Sequence, residues 1–258
     1  MKRQVKSFTI IINYKALLVT GMAIVSTYLC HRFDLTAKFP ETLVGVAIVF
    51  PVVFSIGSAY ARRETALQRY SDFRGHAVAA YFATRDWTAD KNNDLPARMR
   101  LVIRDLLDDM RVTLKSHKRK QGRESEQKVY RGFSTLSALT MEMRSYGVQS
   151  GEISRISQYV SKMIIAFDNM KMIHDYRTPI TLRSYSKVFI YIFPIIYGPY
   201  FASTFKEFDA HLEYVMPVLY SFILVSLDNI QDHLENPFDE VGEDDISIQA
   251  DDTVDLMK

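Results

Sequence analysis

A run of 20 residues without a charged side chain, Thr42–Ala61, constrains this sequence more than any other feature. As a helix rising about 1.5 Å per residue, such a run is about 30 Å long, which matches the hydrocarbon thickness of a bilayer. It predicts a membrane-spanning helix. The chain's overall hydrophobic content of 48% does not reveal this, because apolar runs at both ends flank a charged middle.

Three further uncharged runs extend the pattern: Ala16–Cys30, Val188–Phe205 and Tyr214–Leu227. The first and last runs are short. Because apolar runs of about 10–14 residues are often core helices, neither predicts a membrane span by itself. The first can be extended back through Phe8–Ile12 if Lys15 is admitted. The sequence therefore predicts an all-α chain with four spans, and its start does not have the pattern of a cleavable signal peptide.

Positive charge is distributed unevenly about these spans. Residues 62–187 contain 24 of the 32 lysines and arginines, and Lys2, Arg3 and Lys6 precede the first span. The two predicted outside loops contain only Arg32, Lys38 and Lys206. Because Lys and Arg accumulate in cytoplasmic loops, we expect both termini and the middle to be cytosolic. A bacterial inner membrane would suit such an integral membrane protein.

The charged middle is predicted to be helical. Asp94 and Pro96 mark a helix start, with Asp94 as the cap. Residues 115–123 are expected to be a basic connection. Apolar residues then recur every three or four positions, the period of a helix with one buried face: Leu95, Met99, Val102, Leu106, Met110 and Leu114.

These patterns give four predicted parts: an N-terminal membrane part (1–61), a helical cytosolic domain (62–187), a C-terminal membrane part (188–227) and an acidic segment (228–258). The acidic segment has eleven acidic residues and one lysine. It is predicted to begin as a helix and to end as a flexible tail.

The sequence contains no recognisable catalytic set. Its six histidines lack metal-ligand spacing, its one cysteine is Cys30, and no Gly-rich phosphate loop is present. We therefore expect a protein that is not an enzyme, needs no cofactor and has no nucleic-acid partner.

Two patches of sequence resemble the bestrophin family. The first lies in the second predicted span, where an apolar residue, Pro, Phe and Gly recur at the family's spacing, and it continues to Gly75. The second is a Pro-containing entry to the third span, followed by the family's Asn-Pro-Phe after the fourth. The residues are Phe50-Pro51-Val52-Val53-Phe54-Ser55-Ile56-Gly57-Ser58, Arg69–Gly75, Tyr176-Arg177-Thr178-Pro179-Ile180, Leu227–Phe238 and Asp244-Asp245-Ile246-Ser247-Ile248.

The match also has departures. The family's Arg-Trp-Trp falls on Ala66-Leu67-Gln68, and the third neck residue, which is usually aromatic, is Ser58. The sequence is thus similar to a divergent, prokaryotic-type member. The resemblance implies a homopentameric anion channel in a lipid bilayer, conducting small anions such as chloride. The neck residues, defined as Phe50, Phe54 and Ser58, would then face a central pore.

Helical spacing agrees with this implication, because positions i, i+4 and i+8 share one face. Rings of phenyl groups form an apolar constriction that can gate by dewetting, and their edges carry partial positive charge. Pro51 removes a backbone donor and can kink the helix. The alternative is that Phe50 and Phe54 pack against lipid or a neighbouring span.

Two charged groups have a functional and a plain interpretation. Arg62 and Arg63 could attract anions toward a cytosolic vestibule or could anchor the helix at the membrane surface. Glu243, Asp244 and Asp245 lie where eukaryotic relatives bind calcium, but an insertion-like Asp239–Gly242 displaces them. A solvated acidic segment without metal is the favoured interpretation.

Two functions from different classes follow from the sequence. The first is an anion channel, and the alternative is a non-conducting membrane scaffold or regulatory subunit with the same fold. A transporter is a weaker third, since no internal inverted repeat is visible.

Overall fold

A computed structural model describes residues 13–38, 40–89, 93–116, 119–176, 179–204, 212–242 and 244–258. This part of the chain is helical and contains no strand, as the sequence predicts. A short 3₁₀ turn, Met143–Tyr146, follows the fourth helix. The helices are α1 (Tyr14–Arg32), α2 (Glu41–Trp87), α3 (Leu95–Lys115), α4 (Arg119–Glu142), α5 (Ser150–Asp175), α6 (Ile180–Thr204), α7 (Leu212–Leu234) and α8 (Ala250–Asp255).

The chain divides into two compact units. Unit 1 comprises Met1–Ala61 and Arg177–Glu235, and unit 2 comprises Arg62–Tyr176 and Asn236–Lys258. Helix α2 contributes to both units without a break. The division at residue 61 is the position at which the uncharged run of α2 ends, and the other two divisions fall at 176 and 235.

Unit 1 is a bundle in which α1 packs against α6 and α7, and α6 packs against α7. Asn13 caps α1, because its side-chain oxygen accepts hydrogen bonds from the backbone N–H groups of Lys15 and Ala16. The bundle core joins all four segments through Val19, Ile48, Val52, Ile190, Phe193 and Leu224.

The outer surface of unit 1 is rich in exposed apolar side chains, including Leu17 at 72% exposure and Ile195 at 56%. Surfaces of this kind fit a hydrocarbon solvent better than water. Within the described residues, one helix is long and apolar enough to cross a membrane: Val44–Trp87 contains an 18-residue window of mean hydropathy 2.0. The other predicted spans lie in α1, α6 and α7, which do not reach that threshold.

Unit 2 is built on α3, α4 and α5, whose apolar faces share one core. The predicted periodicity of α3 is confirmed, since Leu95, Met99, Leu106, Met110 and Leu114 are buried and Val102 packs partly against them. The predicted cap is wrong in its chemistry. Asp94 makes no capping hydrogen bond, and the neighbouring Asn93 accepts from the Leu95 N–H at 3.0 Å instead.

The connection predicted for residues 115–123 is shorter than expected, because α3 continues to Lys115 and α4 begins at Arg119. The prediction of a flexible tail is also wrong. After α7 the chain closes a loop in which the Ile246 N–H donates to the Pro237 carbonyl at 2.7 Å. Helix α8 packs against α3 and the segment is fixed by apolar burial of Phe238, Ile246, Ile248, Ala250 and Met257.

Candidate pore-lining site

The neck residues lie together on the exposed side of α2. Phe50 is 55% exposed and Phe54 is 64% exposed, and Ser58 follows one turn later, also exposed. The two phenyl rings pack against each other with centroids 5.6 Å apart and planes tilted by 53°. The chain therefore has an apolar, aromatic ridge that the unit 1 bundle does not cover.

The opposite side of α2 is buried in unit 1. Ile48, Val52, Ser55 and Ala59 are at most 1% exposed. Because α2 has one buried and one bare face, the bare face must meet lipid, another copy of the chain or an aqueous passage. Pro51 lies half-buried between these faces and α2 remains helical through it. Its missing N–H leaves the carbonyl of Ala47 without the usual intrahelical donor.

Arg62 follows the uncharged run and is engaged within unit 2. Its guanidinium donates to the carbonyls of Ile173 at 2.5 Å and Tyr176 at 2.6 Å. These carbonyls lie at the C-terminal end of α5, where unpaired acceptors and the helix dipole favour a positive charge. The described contacts of Arg62 are therefore those of a helix cap.

Arg63 is also engaged. It donates to the carbonyl of Asp244 at 2.8 Å and pairs with Glu64 at 2.5 Å. The guanidinium thus connects α2 to the segment that follows Phe238, within unit 2. Of these two partners, only the Glu64 carboxylate carries a negative charge.

Solved structures with this arrangement identify the fold. Crystal structures of a bacterial bestrophin homologue from Klebsiella pneumoniae, in two single-residue variants, match with TM-scores of 0.74 and 0.73. At 14% sequence identity, each covers 95% of this chain and 96% of its own. A further structure, described as a membrane protein, matches with a TM-score of 0.70 at 16% identity, over 95% and 94% of the two chains.

The chain has the bestrophin fold. The resemblance inferred from the sequence motifs is thus confirmed at the level of the fold. No protein-family model matches the sequence, and no curated protein matches it. Sequence divergence has therefore proceeded further than structural divergence, as the low identity over 95% of the chain indicates.

Of the three acidic candidates for a calcium site, two lie within the described residues. Glu243 lies outside the described residues. Asp244 is exposed, and Asp245 accepts a hydrogen bond from the Gly242 N–H at 2.9 Å. Burial, with a hydrogen bond to Asp239, raises the pKa of Asp245 to about 7. Among the described residues no three His, Cys, Asp or Glu side chains are placed to hold a metal. Because Glu243 is outside that set, calcium binding here stays a prediction.

A polar network in unit 1 was missed by sequence reasoning. The Lys15 ammonium lies 2.9 Å from Asp232 and 3.8 Å from Asp228, and Lys187 lies 3.2 Å from Asp232. Arg183 pairs with the buried Glu235 at 2.7 Å. The spacing of the acids on α7 was the available signal, because residues three and four apart share a helix face.

This network joins the start of α1 to α6 and to the last turns of α7. A neutral side-chain bond, from the Asn13 amide to Asn229 at 2.8 Å, lies beside it. In the Lys–Asp and Arg–Glu pairs both partners are charged, so their hydrogen bonds are stronger than the neutral one. They fix the relative positions of three helix ends in the bundle that carries the neck.

Unit 1 also contains a cavity of about 440 Å³. Gly45 makes its aromatic wall possible, since a Cβ at this position would lie 3.3 Å from the Tyr197 hydroxyl oxygen. The lining is almost entirely apolar and aromatic, from Gly45, Phe193, Tyr197, Phe201 and Tyr220 among others. Among its described lining residues none is charged.

Proposed function

We propose that this protein is a subunit of a bestrophin-like anion channel and that Phe50, Phe54 and Ser58 form the neck of its pore. One observation carries the proposal: in a chain with the bestrophin fold, α2 leaves Phe50 and Phe54 more than half exposed on one face. A closed ring of such faces, five in a homopentamer, would surround a narrow apolar passage.

The chemistry of that passage favours small monovalent anions such as chloride. Phenyl edges carry partial positive charge, so they tolerate an anion better than a cation. An apolar constriction also opens and closes to ions through its wetting. The Ala47 carbonyl, which lacks its usual donor because of Pro51, is acceptable where it meets protein or a water-filled passage.

The proposed subunit crosses the membrane four times, through α1, the first part of α2, α6 and α7. Both termini and unit 2 then lie on the cytosolic side, which the distribution of Lys and Arg favours. The apolar outer surface of unit 1 supports this placement. A bacterial inner membrane is the proposed location.

The test is ion flux through liposomes that contain the purified protein. Wild type is expected to pass chloride, and Phe54→Ala to change its rate or its selectivity because the constriction widens. Val53→Ala is the matched control: Val53 is 54% exposed on the same helix but points about 100° away from Phe54.

Mass in detergent accompanies the flux measurement, since five copies are required to close the proposed ring. A folded pentamer that passes no small anion would overturn the channel and favour a non-conducting scaffold. A monomer or dimer would overturn the pore itself. An equal response to Phe54→Ala and Val53→Ala would remove Phe54 from the neck.

A further inference from the structure

The exposed face of α2 does not end at the neck. Beyond Ala61 the helix continues to Trp87, and its burial alternates with the helical period. Ala66, Tyr70, Phe73 and Ala77 are buried in the core of unit 2. Between them lie exposed positions that form a second stripe: Thr65, Gln68, Ser71, Asp72 and Gly75.

Helical spacing aligns this stripe with the neck. At 3.6 residues per turn, Thr65 and Asp72 follow Phe54 by roughly three and five complete turns. They therefore share the helix face that carries Phe54. If Phe54 faces an axial passage, the carboxylate of Asp72 is placed on the same side of the helix.

The chemistry of the stripe differs from that of an ordinary solvated helix face. Thr65, Gln68, Ser71 and Gly75 are small or uncharged, although all are exposed. Asp72 carries the negative charge of the stripe. Within the described residues it forms an ion pair with Arg69, whose Nη1 lies 3.1 Å from Asp72 Oδ2.

This ion pair leaves both charges accessible. The Arg69 side chain is 41% exposed and that of Asp72 is 50% exposed. Exposed pairs attract each other weakly, because water and salt screen them. Each group therefore retains an influence on ions that pass nearby, and the two influences have opposite signs.

We propose that the Arg69–Asp72 pair sets the selectivity of the cytosolic part of the pathway between anions and cations. Asp72 lowers the preference for anions and Arg69 restores it. The inference rests on the proposed channel function, since a ring of subunits repeats both charges around one axis. Charges lining a passage with low-dielectric walls act on ions more strongly than charges on an open surface.

The test measures the reversal potential of purified channels in planar bilayers under a potassium chloride gradient. Asp72→Asn is expected to raise the chloride-to-potassium permeability ratio on the order of two- to tenfold. Arg69→Gln is expected to lower it by a similar factor. The double variant should lie near wild type, because the two effects oppose each other.

A control and an independent variant make the test specific. Asp108→Asn removes the same charge from an exposed position on α3 and should leave the ratio unchanged. Thr65→Asp adds a carboxylate to the stripe two turns closer to the neck and should lower the ratio. It needs no change at the Arg69–Asp72 pair, so it tests the stripe even if a pair variant misfolds.

The possible outcomes separate this inference from the proposed function. Wild-type protein that forms pentamers and conducts nothing overturns the channel function itself. A conducting wild type whose ratio responds to none of Asp72→Asn, Arg69→Gln and Thr65→Asp overturns the inference alone. A shift of the same sign for Asp72→Asn and Arg69→Gln would also overturn it.

Discussion

Arg183 on α6 and Glu235, just beyond α7, form an ion pair in which Nη1 and Oε2 are 2.7 Å apart. The Glu235 side chain is only 2% exposed, and its second oxygen accepts from the Gln231 amide at 3.4 Å. A carboxylate this deeply buried depends on its partner, because an isolated buried charge is costly. The pair therefore joins α6 to the end of α7 at the base of the unit 1 bundle.

Removal of Arg183 should destabilise the protein strongly. Arg183→Ala leaves the Glu235 carboxylate buried and unpaired, which costs about 3–5 kcal/mol. The melting temperature of the detergent-solubilised protein should fall by on the order of 10 °C. Arg104→Ala is the control, since the Arg104–Asp251 pair is exposed and should be worth about 0–1 kcal/mol. Equal shifts for both variants would contradict the prediction.

Glu240 holds the C-terminal segment against α3. Its two oxygens accept from Arg111 Nε at 2.6 Å and Nη2 at 2.9 Å, and from Lys115 at 2.8 Å. The hydrogen bonds from Arg111 and then Lys115 lower the pKa of Glu240 to about 2. Glu240→Gln keeps the shape and loses the charge, and it should cost about 1–3 kcal/mol at pH 7.

The stabilisation by Glu240 should depend on pH in one direction. Because its folded-state pKa lies below its ordinary value of 4.5, the stabilisation is present above pH 4.5 and is lost as pH falls toward about 2. Melting curves of wild type and Glu240→Gln should therefore differ at pH 7, and the difference should shrink below pH 4.5 and vanish near pH 2. A difference that persists unchanged to pH 3 would refute the assignment.

Gly198 on α6 allows close approach to α1. A Cβ at this position would collide with the Ser26 hydroxyl and lie 3.3 Å from a backbone atom of Ser26. Gly198→Ala should therefore destabilise the bundle by about 1–3 kcal/mol through overpacking. Since the backbone is also close, Ser26→Ala should relieve only part of this loss.

Gly21 on α1 provides the matched control for Gly198. A Cβ there meets nothing within 4 Å, so Gly21→Ala should be neutral or stabilise the helix by about 0.5–1 kcal/mol. Thermal melts of both variants in the same detergent measure the contrast. A destabilisation by Gly21→Ala as large as that by Gly198→Ala would argue against close packing at Gly198.

A substitution at Ser58 tests the neck in the opposite direction, because it adds a ring to the constriction whereas Phe54→Ala removes one. An additional ring at this exposed position would lengthen the apolar constriction, so Ser58→Phe should reduce chloride flux in liposomes. Ser58→Ala removes a hydroxyl without adding bulk and should change flux less. Faster flux through Ser58→Phe than through wild type would place Ser58 away from the constriction.

Much of the architecture can be predicted from local sequence patterns. The recurrence of Leu95, Met99 and Leu106 predicted the buried face of α3, because one helix face must be apolar to enter a core. The uncharged run 42–61 predicted the apolar part of α2. Spacing alone placed Phe50, Phe54 and Ser58 on one face, and all three are exposed in the structure. Their role as a pore neck stays a prediction.

Two failures of sequence reasoning originate in long-range contacts, and the capping error is local. The flexible tail predicted from its acidic composition is packed, since Ile246, Ile248 and Met257 find a partner surface on unit 2. Asp94 has the right residue type for a cap, yet Asn93 makes the bond. Arg62 could not be assigned from sequence, because its acceptors lie more than 100 residues away at the end of α5.

The sequence by itself determined the helical class, the segregation of apolar and charged segments, and the face on which the neck residues lie. These depend on periodicity and on the transfer of side chains between water and an apolar phase, which are properties of short segments. The tertiary structure alone decided which charges are paired, as Lys15 with Asp232 and Arg183 with Glu235. Such pairs join residues far apart in the chain, so only the packing of the helices brings them within bonding distance.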